Sequence, residues 1–292
     1  MSRVSQARIC CLCEGVLSRL AGVSDGEMVS LIDRYKGFII DLDGVVYLLD
    51  DPIPGSPEVV RYLLESGAPF VFLTNNSVST PLMYVEKLAR LGMEVEPRHV
   101  VTSAQALRRY LEQGGACAGR TAFVVGEKGL VREIEATGLE IVNEEEAAGA
   151  DFVFVGWDRE FDFGKLKAAV AAVRNGAEYI ATNADATYPT PGGLLPGAGS
   201  IVAAITTGAG REPIVMGKPN PYIVELALER MGVGARSALL VGDRLDTDIA
   251  AGLAAGVDTL LVLTGVSSAR EVEETGIRPT HIRDDFGALM NP

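Results

Sequence analysis

Gly37-Phe38-Ile39-Ile40-Asp41-Leu42-Asp43-Gly44 is the stretch from which the rest of the chain can be read. A short apolar run with no polar interruption is the pattern of a strand buried on both faces. Asp41 stands where the run ends, and Asp43 follows two residues on. If the extended backbone continues, the two carboxylates lean to the same side. Like charges this close are costly unless a cation sits between them. A helix-loop-helix calcium site would want an acid near position 45 and a bidentate Glu near position 52, where this chain has Val45 and Pro52. A plain turn would not need the apolar continuation Val45-Val46-Tyr47.

The same style repeats outward. Pro57 opens a helical stretch through Val60, Leu63 and Leu64 that Gly67 closes. Pro69–Leu73 reads as a second buried strand, Thr80-Pro81 starts a helix stopped by Gly92, and His99–Thr102 reads as a third strand. Near the C-terminus, Ile214–Met216, Ala238–Val241 and Thr259–Val262 are strands, with helices over Pro221–Met231 and Ile249–Ala255. Apolar strands alternating with helices predict an α/β fold whose parallel sheet carries helices on both faces. The middle, about 104–212, also alternates. Its strands are Ala122–Val125, Phe152–Val155 and Tyr179–Ala181, its helices Leu166–Val173 and Ile201–Ile205, and Glu144-Glu145-Glu146 reads as a solvated helix start. This is the pattern of an α/β domain inserted into a larger one, although alternation alone also allows one continuous sheet.

Ligands of parallel sheets gather beyond the carboxyl ends of the strands. Four polar groups fall there. Asp41 and Asp43 are the first. Thr74-Asn75-Asn76 supplies a hydroxyl and amides that can donate to an oxyanion, with Ser79 and Thr80 left to cap the next helix. Lys218, held between Gly217 and Pro219, can neutralise a phosphate. Gly242-Asp243-Arg244-Leu245-Asp246-Thr247-Asp248 puts Asp243 at a strand end and Asp248 about one helical turn on. Hard oxygen ligands of this kind suit Mg2+. The set reads as phosphoryl transfer. Neither His99 nor His281 falls at a predicted strand end of this set, which argues against histidine-based acid–base catalysis. There is no G-x-S-x-G elbow and no Walker loop.

Composition bounds the partners. The 292 residues carry a formal charge of −13 with no compensating Lys/Arg cluster, which disfavours nucleic acid. No apolar run reaches the roughly 18 residues of a membrane span. Cys10, Cys11 and Cys13 crowd the N-terminus and Cys117 stands far away, which is no disulfide framework. Glu14 interrupts the apolar segment Ile9–Val16, so the expectation is a cytoplasmic protein with a short N-terminal extension.

These four motifs, in this order, resemble the haloacid dehalogenase (HAD) superfamily of phosphatases over about 36–290. The details are similar to the branch with a large α/β cap, which includes 4-nitrophenyl, phosphoglycolate and pyridoxal phosphate phosphatases. Gly156-Trp157-Asp158, Ala181–Asp185 and Pro196–Ser200 look like its cap segments. The resemblance implies a Rossmann-like core at 36–103 and 213–292, a cap at 104–212 and an extension at 1–35. It implies that Asp41 is the nucleophile and Asp43 the general acid/base. Asp41, the Asp43 carbonyl and Asp243 would hold Mg2+, with Asp248 supporting the metal waters. Thr74, Asn75, Asn76 and Lys218 would bind the phosphate, and Asn183 and Asp185 of the cap would face the substrate. The expected activity is hydrolysis of a small phosphorylated metabolite, with a homodimer through the cap as a further expectation. Phosphomutase-type transfer, or non-catalytic binding of such a metabolite, would keep the fold. A binder could dispense with its nucleophile, whereas Asp41, Asp43, Lys218 and Asp243 are all present.

Overall fold

The structure is a computed structural model that describes residues 30–115, 117–190 and 192–291. In chain order the core begins with β1 (Gly37–Asp41), a small hairpin of β2 (Tyr47–Leu48) and β3 (Asp51–Pro52), then β4 (Phe70–Thr74) and β5 (Val100–Thr102). The inserted part holds β6 (Thr121–Val125), β7 (Glu140–Ile141), β8 (Phe152–Val155), β9 (Glu178–Ala181), the hairpin β10 (Thr187–Thr190) and β11 (Gly193–Pro196), and β12 (Ile214–Val215). The core resumes with β13 (Ala238–Gly242), β14 (Asp258–Val262) and β15 (His281–Arg283).

Two sheets result, parallel in every pairing. The core sheet runs β15-β14-β13-β1-β4-β5 and the cap sheet β12-β9-β8-β6-β7. A single continuous sheet is therefore excluded. β1 lies at the centre, in register with Ala238–Val241 on one side and Phe70–Leu73 on the other, and every one of its residues is buried. Side chains alternate between two apolar layers: Phe38, Ile40, Phe72 and Leu239 on one face, Ile39, Val71, Leu73 and Leu240 on the other. The second layer continues without a break into Phe152, Phe154 and Ile180 of the cap through the helix Ser103–Gly114. Core and cap thus share apolar packing.

Several expectations shift. Ile214-Val215, read as a core strand, pairs with Ile180-Ala181 and closes the edge of the cap sheet. A short apolar run carries no record of which sheet it joins. The expected extension 1–35 overruns the fold, because Leu31, Ile32 and Tyr35 pack into the core layer and the Tyr35 hydroxyl lies 2.7 Å from Asp258 and 2.9 Å from His281. The three N-terminal cysteines lie outside the described residues. His99 precedes its strand, in a 3-10 turn that stacks it on Phe70 at 4.7 Å. The acidic run at 144–146 is solvated as expected but forms a turn, with Asn143 Oδ1 accepting from the Glu145 and Glu146 amides. Gly197 caps the helix Ala198–Ala209, and Ala198-Gly199 opens its first turn. Among the described residues no helix is long and apolar enough to cross a membrane.

Ile32→Ala tests whether residues 30–35 belong to the fold. Truncating a buried isoleucine costs about 2–5 kcal/mol, so denaturant unfolding is expected to show a clear loss. A loss below about 0.5 kcal/mol, the range of a surface change, would place this segment outside the cooperative core.

Candidate active site

Asp41 is the last residue of β1, Thr74 the last of β4, and Asp243 follows β13 directly. Parallel pairing brings these ends to one edge of the sheet. The cap closes over that edge, and Lys218 enters three residues after β12. Between core and cap lies a cavity of about 330 Å³. All the residues singled out in the sequence line it: Asp41, Asp43, Thr74, Asn75, Asn76, Asn183, Asp185, Lys218, Asp243 and Asp248.

The Lys218 ammonium donates to Asp41 Oδ1 at 2.5 Å, to Asp248 Oδ1 at 2.6 Å and to the Leu73 carbonyl at 3.4 Å. Burial opposes its charge, but the Asp248 and Asp41 carboxylates outweigh burial and hold its pKa above the ordinary lysine value. Burial pushes Asp41 well up, against the pull of Lys218 and with the help of Asp248 and Asp243. Asp243 is pushed up to about 7, first by burial and then by the Asp248 charge. Asp43 is raised by burial, against the nearby charges of Lys87 and Lys218. Three buried carboxylates therefore face one ammonium, and the site carries more negative charge than its own cation balances.

That imbalance suits a divalent cation. Asp41, Asp243 and Asp248 each offer an oxygen within 4.8 Å of the others. Asp243 Oδ2 accepts from the Val266 amide at 2.8 Å, whereas the buried Asp243 Oδ1 has no hydrogen-bond partner among the described residues. An orphaned buried carboxylate oxygen is what a ligand position looks like before its metal is counted. Two glycines make the space. A Cβ at Gly44, whose φ is +88°, would stand 2.6 Å from Asp243 Oδ2, and one at Gly265 would overlap the same carboxylate. Asp248 reaches the cluster because the chain takes a wide π turn over Leu245–Ile249 before the short helix Ala250–Ala254, where the sequence pointed to one helix from 249. Its Oδ2 accepts from the Arg244 amide at 3.1 Å.

Other groups surround this centre. Thr74 Oγ1 accepts from the Asn76 amide at 3.1 Å, and Asn76 Oδ1 accepts from the Val78 amide at 2.8 Å. Thr80 caps its helix as expected. The Asn75 and Asn183 side chains, expected to meet phosphate and substrate, are engaged with protein: Asn75 with Lys218 and Asp185, Asn183 with the Asn75 carbonyl at 2.8 Å. Their side-chain amide hydrogens are donated within the protein. Missed in the sequence were Trp157, Tyr188, Leu194 and Arg244 as cavity walls. Trp157 and Tyr188 lie ring to ring at 4.3 Å, and Trp157 Nε1 donates to the Pro196 carbonyl at 2.9 Å. Trp157 stands two residues beyond the end of β8, so the strand-end rule that found Asp41 applies to it equally; Tyr188 gave no comparable signal.

Residues 38–140 match the family described as haloacid dehalogenase-like hydrolase, and residues 215–289 match a second described as HAD-hydrolase-like. The chain belongs to the haloacid dehalogenase superfamily. An acid sugar phosphatase of Staphylococcus aureus is 38% identical over 257 residues, 88% of this chain and 97% of that protein. The 5'-nucleotidase YutF of Bacillus subtilis is 40% identical over 252 residues, 86% of this chain and 96% of that one. Among solved structures, the glycerol phosphate phosphatase Rv1692 of Mycobacterium tuberculosis in complex with magnesium is 38% identical, with a TM-score of 0.83 over 91% of this chain and 79% of its own. This HAD protein is accordingly a phosphoric monoester hydrolase of the large-cap branch. Mg2+ is the cation that its oxygen cluster fits.

Gly265→Ala should displace the Asp243 carboxylate without removing any ligand. Disturbing the surroundings of a ligand typically costs about 10–100-fold in metal affinity. Calorimetric Mg2+ titration is expected to show that loss, and an unchanged affinity would mean that Asp243 is not a ligand.

Proposed function

We propose that this phosphatase hydrolyses a small phosphorylated metabolite through an aspartyl-phosphate intermediate on Asp41, with Mg2+ held by Asp41, the Asp43 carbonyl and Asp243. The observation that carries this reading is the buried Lys218 ammonium bridging Asp41 and Asp248 beside the orphaned Asp243 oxygen. Mg2+, when bound, supplies charge neutralisation for the phosphoryl oxygens. All other steps belong to side chains. Lys218 and the Thr74 hydroxyl face the phosphoryl group, and Asn76 stands beside them. The Asp41 carboxylate attacks phosphorus while Asp43, whose burial favours its protonated form, gives its proton to the leaving oxygen. Asp43, now ionised, takes a proton from water. That water attacks phosphorus, breaks the acyl-phosphate bond, and restores Asp41 with release of inorganic phosphate.

The leaving group would lie against the cap wall of Trp157, Tyr188 and Leu194. An aromatic face with a polar floor suits a compact organic alcohol with C–H surface, such as a polyol or sugar, and a cavity of about 330 Å³ has little room for a polymer.

Phosphate release from a panel of phosphate esters, with Mg2+ and with EDTA, tests the reading. Release that EDTA does not suppress would remove the metal from it. Asp41→Asn should lower kcat by more than about 10⁴-fold, the scale seen when a nucleophile is removed; turnover near wild type would remove Asp41 from its role. Trp157→Ala should raise KM unequally across the panel and reorder it, whereas a uniform change would take the leaving group away from this wall.

A further inference from the structure

From the core motif, the Asn75 side chain reaches both the lysine segment and the cap loop. Its Oδ1 accepts from the Lys218 amide at 2.8 Å, and its Nδ2 donates to the Lys218 carbonyl at 3.0 Å. The amide thus grips the Lys218 residue at both backbone groups, much as a neighbouring strand would. The second Nδ2 hydrogen is shared between the two Asp185 oxygens, each at 3.2 Å. Both hydrogens and the oxygen are therefore in use. The Asn75 carbonyl is bound as well, by Asn183 Nδ2 at 2.8 Å and Ser103 Oγ at 2.6 Å. A Cβ at Gly217 would stand 2.5 Å from Asn75 Oδ1, so the approach requires glycine there.

We propose that Asn75 is a positioning residue whose side chain clamps the Lys218 backbone and ties it to the cap through Asp185, so that the seat of the cap and the placement of the lysine are one event. The proposal rests on the phosphatase reading for its kinetic consequence, and it reassigns Asp185 and Asn183 from reading the substrate to fastening the cap. Lys218 has a long, flexible side chain, and its ammonium meets two carboxylates only if its backbone is fixed. Asn75 fixes it from the core side. Asp185 accepts the remaining Nδ2 hydrogen from the cap side, and so ties the amide that grips Lys218 to the cap. A substrate-reading residue and a positioning residue differ in what they alter. The first changes the ranking of substrates, and the second lowers turnover alike for all.

The test is a double-mutant cycle of Asn75→Ala and Asp185→Ala, assayed on several phosphate esters and by thermal unfolding. A misplacement of about 1 Å at a catalytic group costs about 100-fold. Asn75→Ala is expected to lower kcat by about that factor on every ester, with KM little changed. The double mutant should be no slower than Asn75→Ala alone, because the shared contact is already absent. Asp185→Asn keeps an oxygen that can accept from Asn75, so it should restore most of the kcat that Asp185→Ala loses. Independent, multiplicative losses would overturn the proposal, as would KM changes that differ between esters while kcat holds. The unfolding cycle reads the tie without catalysis. Non-additive Tm losses support the Asn75–Asp185 joint, and additive losses refute it. Wild-type protein that releases no phosphate from any ester would overturn the phosphatase reading while leaving the unfolding cycle to decide the joint.

Discussion

The ammonium of Lys218, held between Asp41 and Asp248 in a buried pocket, is the contact on which the site depends. A charge that deep is tolerated only when paired and hydrogen-bonded. Its partners come from β1 and from the turn after β13, neighbours in the core sheet, while the lysine itself arrives from the edge of the cap. The pair therefore joins two sheets, and the chemistry exists only where both are in place. The remaining excess of carboxylate is the reason the site takes a divalent cation.

The surrounding structure serves that arrangement. The apolar layer shared by Ile39, Leu73, Phe154 and Ile180 seats the cap on the core from below. Above it, Asn75, Asn183, Ser103 and Asp185 form a polar joint in which nearly every group has a partner. Buried polar networks of this kind are directional where apolar packing is not. The apolar layer supplies adhesion, and the polar joint supplies register. Glycines 44 and 265 let the backbone approach the Asp243 carboxylate, and Gly217 lets it approach the Asn75 amide, within distances that any side chain would forbid. Their positions are understandable only from the site outward.

The cap does two different things with adjacent residues. Its Trp157 and Tyr188 form a wall that faces open space in the cavity, and its Asn183 and Asp185 turn toward the core. Trp157, Asn183 and Asp185 all lie just beyond strand ends, and all are polar or aromatic residues of the sort that meet ligands. Only the direction of the side chains separates them. That is the reason Asn75, Asn183 and Asp185 resemble ligand-binding residues in the sequence while their hydrogen bonds go to protein.

By itself the sequence determined the parallel α/β alternation and the carboxylates and lysine of the site. Buried parallel strands are written as unbroken apolar runs, and ligands follow their carboxyl ends, so position along the chain is enough to find Asp41, Thr74 and Asp243. Tertiary structure decided three other matters. It assigned Ile214-Val215 to the cap sheet, because a two-residue strand is defined by its partner, Ile180-Ala181, and not by its composition. It brought Leu31, Ile32 and Tyr35 into the core, where the Tyr35 hydroxyl finds partners more than 200 residues away at Asp258 and His281. And it turned the Asn75 amide from the phosphate to Lys218 and Asp185, because an amide can serve either and only the neighbours within 3.2 Å settle which.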